Sequence, residues 1–116
     1  MLDDIRGLLE PEFDVVGAVG DGQSLISAAD TFQPDVIVTD ISMPRLNGIE
    51  AARLIIQKNP ASRVVLLTAY KDPALLEQGL SVGALGYVLK LKADEELSLA
   101  IHSALEDKRF VSPGVS

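Results

Sequence analysis

The sequence predicts an α/β fold: a parallel sheet with helices on both faces. Three observations lead there. The runs "DVIVT" (35–39), "RVVLLT" (63–68) and "GYVLK" (86–90) are almost continuously apolar, as strands covered on both faces are. Segments of helical period alternate with these runs. The connections are short, and strict alternation of this kind gives parallel strands joined by helical crossovers.

Each element has its own signal. Leu2, Ile5, Leu8 and Leu9 have helical spacing, and Pro11 ends that segment. "FDVVGAV", Phe13 to Val19, predicts a strand, and "GDG", Gly20 to Gly22, a turn. Leu25, Ala28, Ala29 and Phe32 fall on one helical face that Pro34 closes. Asn47 caps the next helix, with Glu50 placed to complete a capping box. That helix turns Ile49, Ala52 and Ile56 inward and stops by Pro60. Asp72-Pro73 opens another, with a capping carboxylate followed by proline at the first helical position; it runs to about Gly83. Asp94, Glu95 and Glu96 crowd the start of the last helix, where the helix dipole favours negative charge. Leu97, Ala100, Ile101, Ala104 and Leu105 form its apolar stripe. The tail "RFVSPGVS" has no periodicity and reads as a linker. The predicted order is α-β-α-β-α-β-α-β-α.

Composition bounds the function. A chain of 116 residues fits one domain, and 47% hydrophobic residues suffice for a core without Trp. The absence of cysteine excludes disulfides and thiolate chemistry and suits a cytoplasmic location. No run is long enough to span a bilayer, and no secretory leader is visible. A net charge of −7 argues against nucleic-acid binding by this chain.

Parallel α/β sheets gather ligands at the carboxyl ends of their strands. Asp40, Thr68 and Lys90 each end a strand, so a carboxylate, a hydroxyl and an ammonium are expected at one edge. Several chemistries could use such a set. His102, the only histidine, lies on the last helix facing outward, which disfavours a Ser-His-Asp arrangement. An oxygen nucleophile beside a cation suits phosphoryl transfer: Asp40 would become an aspartyl phosphate, with Lys90 and Thr68 binding the phosphoryl oxygens.

"VTDISMPRLNGIEAARLI", "VVLLTAY" and "GALGYVLK" resemble the receiver domain of bacterial response regulators. Thr68 lies 28 residues after Asp40, and Lys90 lies 22 after Thr68, each interval allowing one helix and one strand. The resemblance implies a flavodoxin-like, doubly wound sheet, a domain over residues 1–108 and a linker over 109–116. The tail resembles the linker to a C-terminal helix-turn-helix output. It implies phosphorylation at Asp40, Mg²⁺ held by Asp40 and the Ser42 backbone carbonyl, and phosphoryl contacts from Thr68 and Lys90. It makes Tyr87 an aromatic switch that turns inward when Thr68 moves toward the phosphate. Gly48 would allow the tight turn after Met43-Pro44. A histidine kinase is the implied partner, and the implied role is that of a switch rather than a turnover enzyme. The alternative is a degenerate receiver that acts only as a protein-interaction module.

The family pattern opens with a strand that ends in two adjacent acids, whereas this sequence opens on the helix after it. Asp3 and Asp4 fall on helix positions, so they do not supply the pair. The expectations are an N-terminally truncated sheet lacking its first, central strand, and weak Mg²⁺ binding. Three remedies for the gap remain open: new pairing within the sheet, residues upstream of Met1, or a homodimer through strand exchange or edge pairing.

Overall fold

The computed structural model describes residues 7–15, 17, 19–42 and 47–113. Its elements, in chain order, are α1 (Gly22–Phe32), β1 (Ile37–Asp40), α2 (Gly48–Lys58), β2 (Val64–Thr68), α3 (Pro73–Ser81), β3 (Gly86–Leu89), a 3-10 turn (Lys90–Lys92), α4 (Ala93–Leu105) and β4 (Phe110–Val111). The four strands lie in the order β1-β2-β3-β4, and every pair is parallel.

The apolar runs form strands because both sheet faces are covered. Val64 and Leu66 point to one face with Ile37, Tyr87 and Leu89, under the partly buried Leu25 and Ala29 of α1, Ile49, Ala52 and Ile55 of α2, and Leu75 and Leu76 of α3. Val65, Leu67 and Val88 point to the other, under Leu97, Ala100, Ile101 and Ala104 of α4. Adjacent residues therefore feed opposite cores, which removes any polar alternation. This is the doubly wound arrangement expected.

The two predicted caps form: Asn47 accepts from the Glu50 N–H and Asp72 from that of Ala74. Asp21, read from the sequence only as part of a turn, is a third cap and accepts from the Ser24 N–H. The capping box is only half made, because the Glu50 carboxylate instead pairs with Arg53, 2.6 Å away. Helix α3 ends at Ser81 rather than Gly83, and Gly83 takes φ +104°, a conformation that glycine tolerates at no steric cost. Two stripe residues point away from the core: Leu105 is exposed, and Phe32 is 51% exposed with its ring against Gly17.

Two stretches depart from expectation. The described residues of Phe13–Val19 form no strand. A strand exists by its ladder, and among the described residues β1 is hydrogen-bonded to β2 alone. β1 therefore stands at the margin of the described sheet. The segment is tied down otherwise. Phe13 packs with the α4 face and lies 5.3 Å from the His102 ring, centroid to centroid. Glu12 accepts from Ser98 Oγ and bonds His102 Nε2, each at 2.6 Å. These bonds, Ser98 first, hold the Glu12 carboxyl below its usual range. The tail, expected to be a linker, supplies β4. Two paired residues are too few to show a period, so this strand left no pattern in the sequence. Leu2, Asp3, Asp4, Ile5, Met43 and Pro44 lie outside the described residues.

Candidate functional site

The strand register builds the site. Asp40 pairs with Leu67, and the Ile41 N–H donates to the Leu67 carbonyl at 2.9 Å. Thr68 is thus one residue beyond the register partner of Asp40. Thr68 in turn pairs with Leu89, directly before Lys90. Three neighbouring parallel strands end together and present Asp40, Thr68 and Lys90 at one rim.

Lys90 Nζ lies 3.5 Å from Asp40 Oδ2, with the side chains 28% and 16% exposed. Lys92 turns away to Glu95, so Lys90 is the cation at this rim. Asp40 Oδ1 is buried and has no hydrogen-bond partner among the described residues. A carboxylate oxygen out of water without a donor is costly, and strain, a catalytic role or a bound water or ion are the usual reasons for one. Among the described residues the carboxylate is therefore braced by one ammonium on one oxygen and has no donor on the other, buried one.

Thr68 is buried, and its Oγ accepts from the Tyr70 N–H at 3.1 Å. That bond uses an oxygen lone pair and leaves the hydroxyl proton for a second partner. Tyr87 is fully buried at 0% exposure, so the ring lies inward. Its hydroxyl donates toward the Tyr70 carbonyl at 3.5 Å. Burial pushes the Tyr87 phenol above its usual 10, and the Thr68 hydroxyl pulls the other way. The folded chain thus favours the neutral phenol. Stability from this group is complete below pH 10 and falls as pH rises through the raised value. Melting curves taken across that range should show the loss, and Tyr87→Phe should remove it.

Ser42 is exposed, two residues after Asp40. Its backbone carbonyl and the open Asp40 oxygen are the groups here that suit a hard cation. Mg²⁺ takes one or two carboxylates and keeps several waters, so this donor set fits it sparsely. Among the described residues no three acids or histidines come together to hold a metal. His102 is half-exposed against Glu12, on the α4 face and away from the rim.

One neighbour of the site escaped sequence reasoning. Ser112 is 0% exposed, and its Oγ accepts from the Leu89 N–H at 3.0 Å, next to Lys90. A lone serine in an aperiodic tail gives no signal.

The response regulator receiver domain model matches residues 1–102. The regulatory protein DegU of Brevibacillus brevis is 35% identical over 108 residues, which cover 93% of this chain and 46% of the relative. The response regulator GacA of Pseudomonas aeruginosa is 32% identical over the full 116 residues and 52% of its own length. The chain spans about half the length of the curated relatives it matches. A LuxR-family response regulator from Aurantimonas superposes with a TM-score of 0.92 at 31% identity, covering 97% of this chain and 82% of the other. The isolated REC domain of RcsB from Salmonella enterica, solved with the phosphomimetic BeF3−, gives 0.86 at 31% identity, covering 98% and 86%. No described helix is long and apolar enough to cross a membrane. With the family model spanning most of its length and a sheet that superposes on solved members, this chain belongs to the response regulator receiver domain family.

Proposed function

We propose that this domain is a phosphorylation-controlled switch that accepts a phosphoryl group on Asp40 and passes a conformational change to a protein partner. The observation that carries the reading is the half-braced carboxylate: Lys90 Nζ 3.5 Å from one oxygen, the other buried and without a donor among the described residues. In the transfer, an Asp40 oxygen forms a bond to phosphorus as the donor's bond to phosphorus breaks. The donor, a kinase phosphohistidine or a small acyl phosphate, leaves with that electron pair. Lys90 offsets charge on the phosphoryl oxygens, and the Thr68 hydroxyl donates to one of them.

Asp40 and the Ser42 carbonyl would hold Mg²⁺, which when bound offsets the repulsion between carboxylate and incoming phosphate. With Asp40 the one carboxylate of the set among the described residues, binding is expected to be weak. Incubation with acetyl phosphate and Mg²⁺, followed by intact mass measurement, tests both points. The expected result is slow gain of one phosphoryl group at Asp40, rising with Mg²⁺ into the millimolar range. No gain at any Mg²⁺ concentration would favour the second reading, a receiver that acts by protein contact alone.

Residues 1–108 are proposed as the switching domain, with 109–116 leading out of it. Partner recognition by a histidine kinase belongs to the same proposal, as does the absence of nucleic-acid contact at a net charge of −7.

A further inference from the structure

We infer that Ser112 is a positioning residue for Lys90, so that the tail strand and the phosphoryl site are mechanically joined. This rests on the reading of Asp40 and Lys90 above.

Strand β4 lies along the outer edge of β3. The Phe110 N–H donates to the Leu85 carbonyl at 2.8 Å, and the Ser112 N–H to the Tyr87 carbonyl at 2.9 Å. Ser112 Oγ then accepts from the Leu89 N–H and donates to the Glu96 carboxylate on the first turn of α4. The side chain stands in for the next backbone group of the ladder and adds a tie to the helix. A hydroxyl has one proton and two lone pairs; here the proton and one lone pair are used, in a fully buried setting.

The location matters more than the count. Leu89 is the N-cap of the 3-10 turn that begins with Lys90, and no side chain of its own caps that turn. The Leu89 N–H belongs to the Val88–Leu89 peptide, and Ser112 fixes that peptide. It is the last such anchor before Lys90 leaves the strand, and the ammonium reaches Asp40 from there. The same short stretch carries Tyr87, whose carbonyl holds the Ser112 N–H. Linkage is reciprocal: whatever draws Lys90 toward a phosphoryl group also loads the tail, and a pull on the tail shifts Lys90.

The test uses the full chain as wild type, Ser112→Ala, Ser112→Thr and Glu96→Ala. Brief amine acetylation read by peptide mass gives the reactivity of Lys90, with Lys92 as internal reference. Phosphoryl uptake from acetyl phosphate is measured in parallel. Hydrogen exchange at the tail amides reports whether β4 is still attached. Partners that orient a reacting group are typically worth about tenfold. Ser112→Ala should raise Lys90 labelling several-fold and slow uptake by about tenfold, and Ser112→Thr should restore both. Glu96→Ala removes the anchor without touching the core and should give a smaller change in the same direction. It carries the test if Ser112→Ala does not fold. Lys90 labelling and uptake equal to wild type in a folded variant with an unprotected tail would overturn the proposal. If wild type takes up no phosphoryl group, the functional reading fails, and Lys90 labelling alone still decides the positioning.

Discussion

Asp40→Asn is expected to abolish phosphoryl uptake while leaving the fold about as stable as wild type. The amide nitrogen has no lone pair free for attack, and the amide oxygen is far weaker than a carboxylate, so the loss should be complete. Stability should hold because asparagine keeps the shape and gives up the charge. In wild type a carboxylate only 16% exposed faces one ammonium and leaves Oδ1 without a donor. A neutral amide is cheaper to keep in that place than a charge, so the change should fall within about 1 kcal/mol of zero in either direction. Intact mass after acetyl phosphate and a thermal melt check the two halves. A mass gain that persists in the variant would move the acceptor to another side chain.

Gly48→Ala is expected to be strongly damaging. A Cβ at Gly48 would collide with the Asp40 carbonyl oxygen and lie 3.1 Å from Ile41 Cα. Both obstacles are backbone, so no rotamer change relieves the collision. The close approach is fixed from both sides: the Gly48 N–H donates to the Ile41 carbonyl at 2.8 Å, and Asn47 caps the helix that starts there. Relief requires moving α2 or the end of β1, at a cost of about 3 kcal/mol or more. For a domain of this size that lowers the melting temperature by at least about 10 °C. Because the displaced atoms belong to Asp40 itself, uptake should fall in whatever fraction remains folded. A melting temperature within a degree or two of wild type would show that the loop moves freely.

The parts legible in the sequence were those with a local cause. β1, β2 and β3 stood out as apolar runs because each is covered on both faces, and Asn47 and Asp72 each accept from an N–H two or three residues on. The rim followed from topology: three parallel strands ending in Asp40, Thr68 and Lys90 must end near one another. What could not be read depended on distant partners. Nothing in "FDVVGAV" says that the described sheet offers it no ladder. Glu12 and His102 are 90 residues apart, and their bond depends on how α4 packs. The second half of the capping box failed because Arg53, one turn along, competed for Glu50. Ser112 was invisible because one buried hydroxyl has no period.

The position of β4 also bears on how the chain is made. A ribosome releases residues at about 5–20 per second, and about 20 of them separate Leu89 from Phe110. For roughly 1–4 s the outer margin of β3 therefore emerges with its amides unsatisfied, beside a newly formed rim. Bare strand margins invite pairing with other nascent chains. Slowing translation after Lys90 should increase misassembly on polysomes, and supplying a short peptide that carries the Phe110–Ser112 stretch should suppress it.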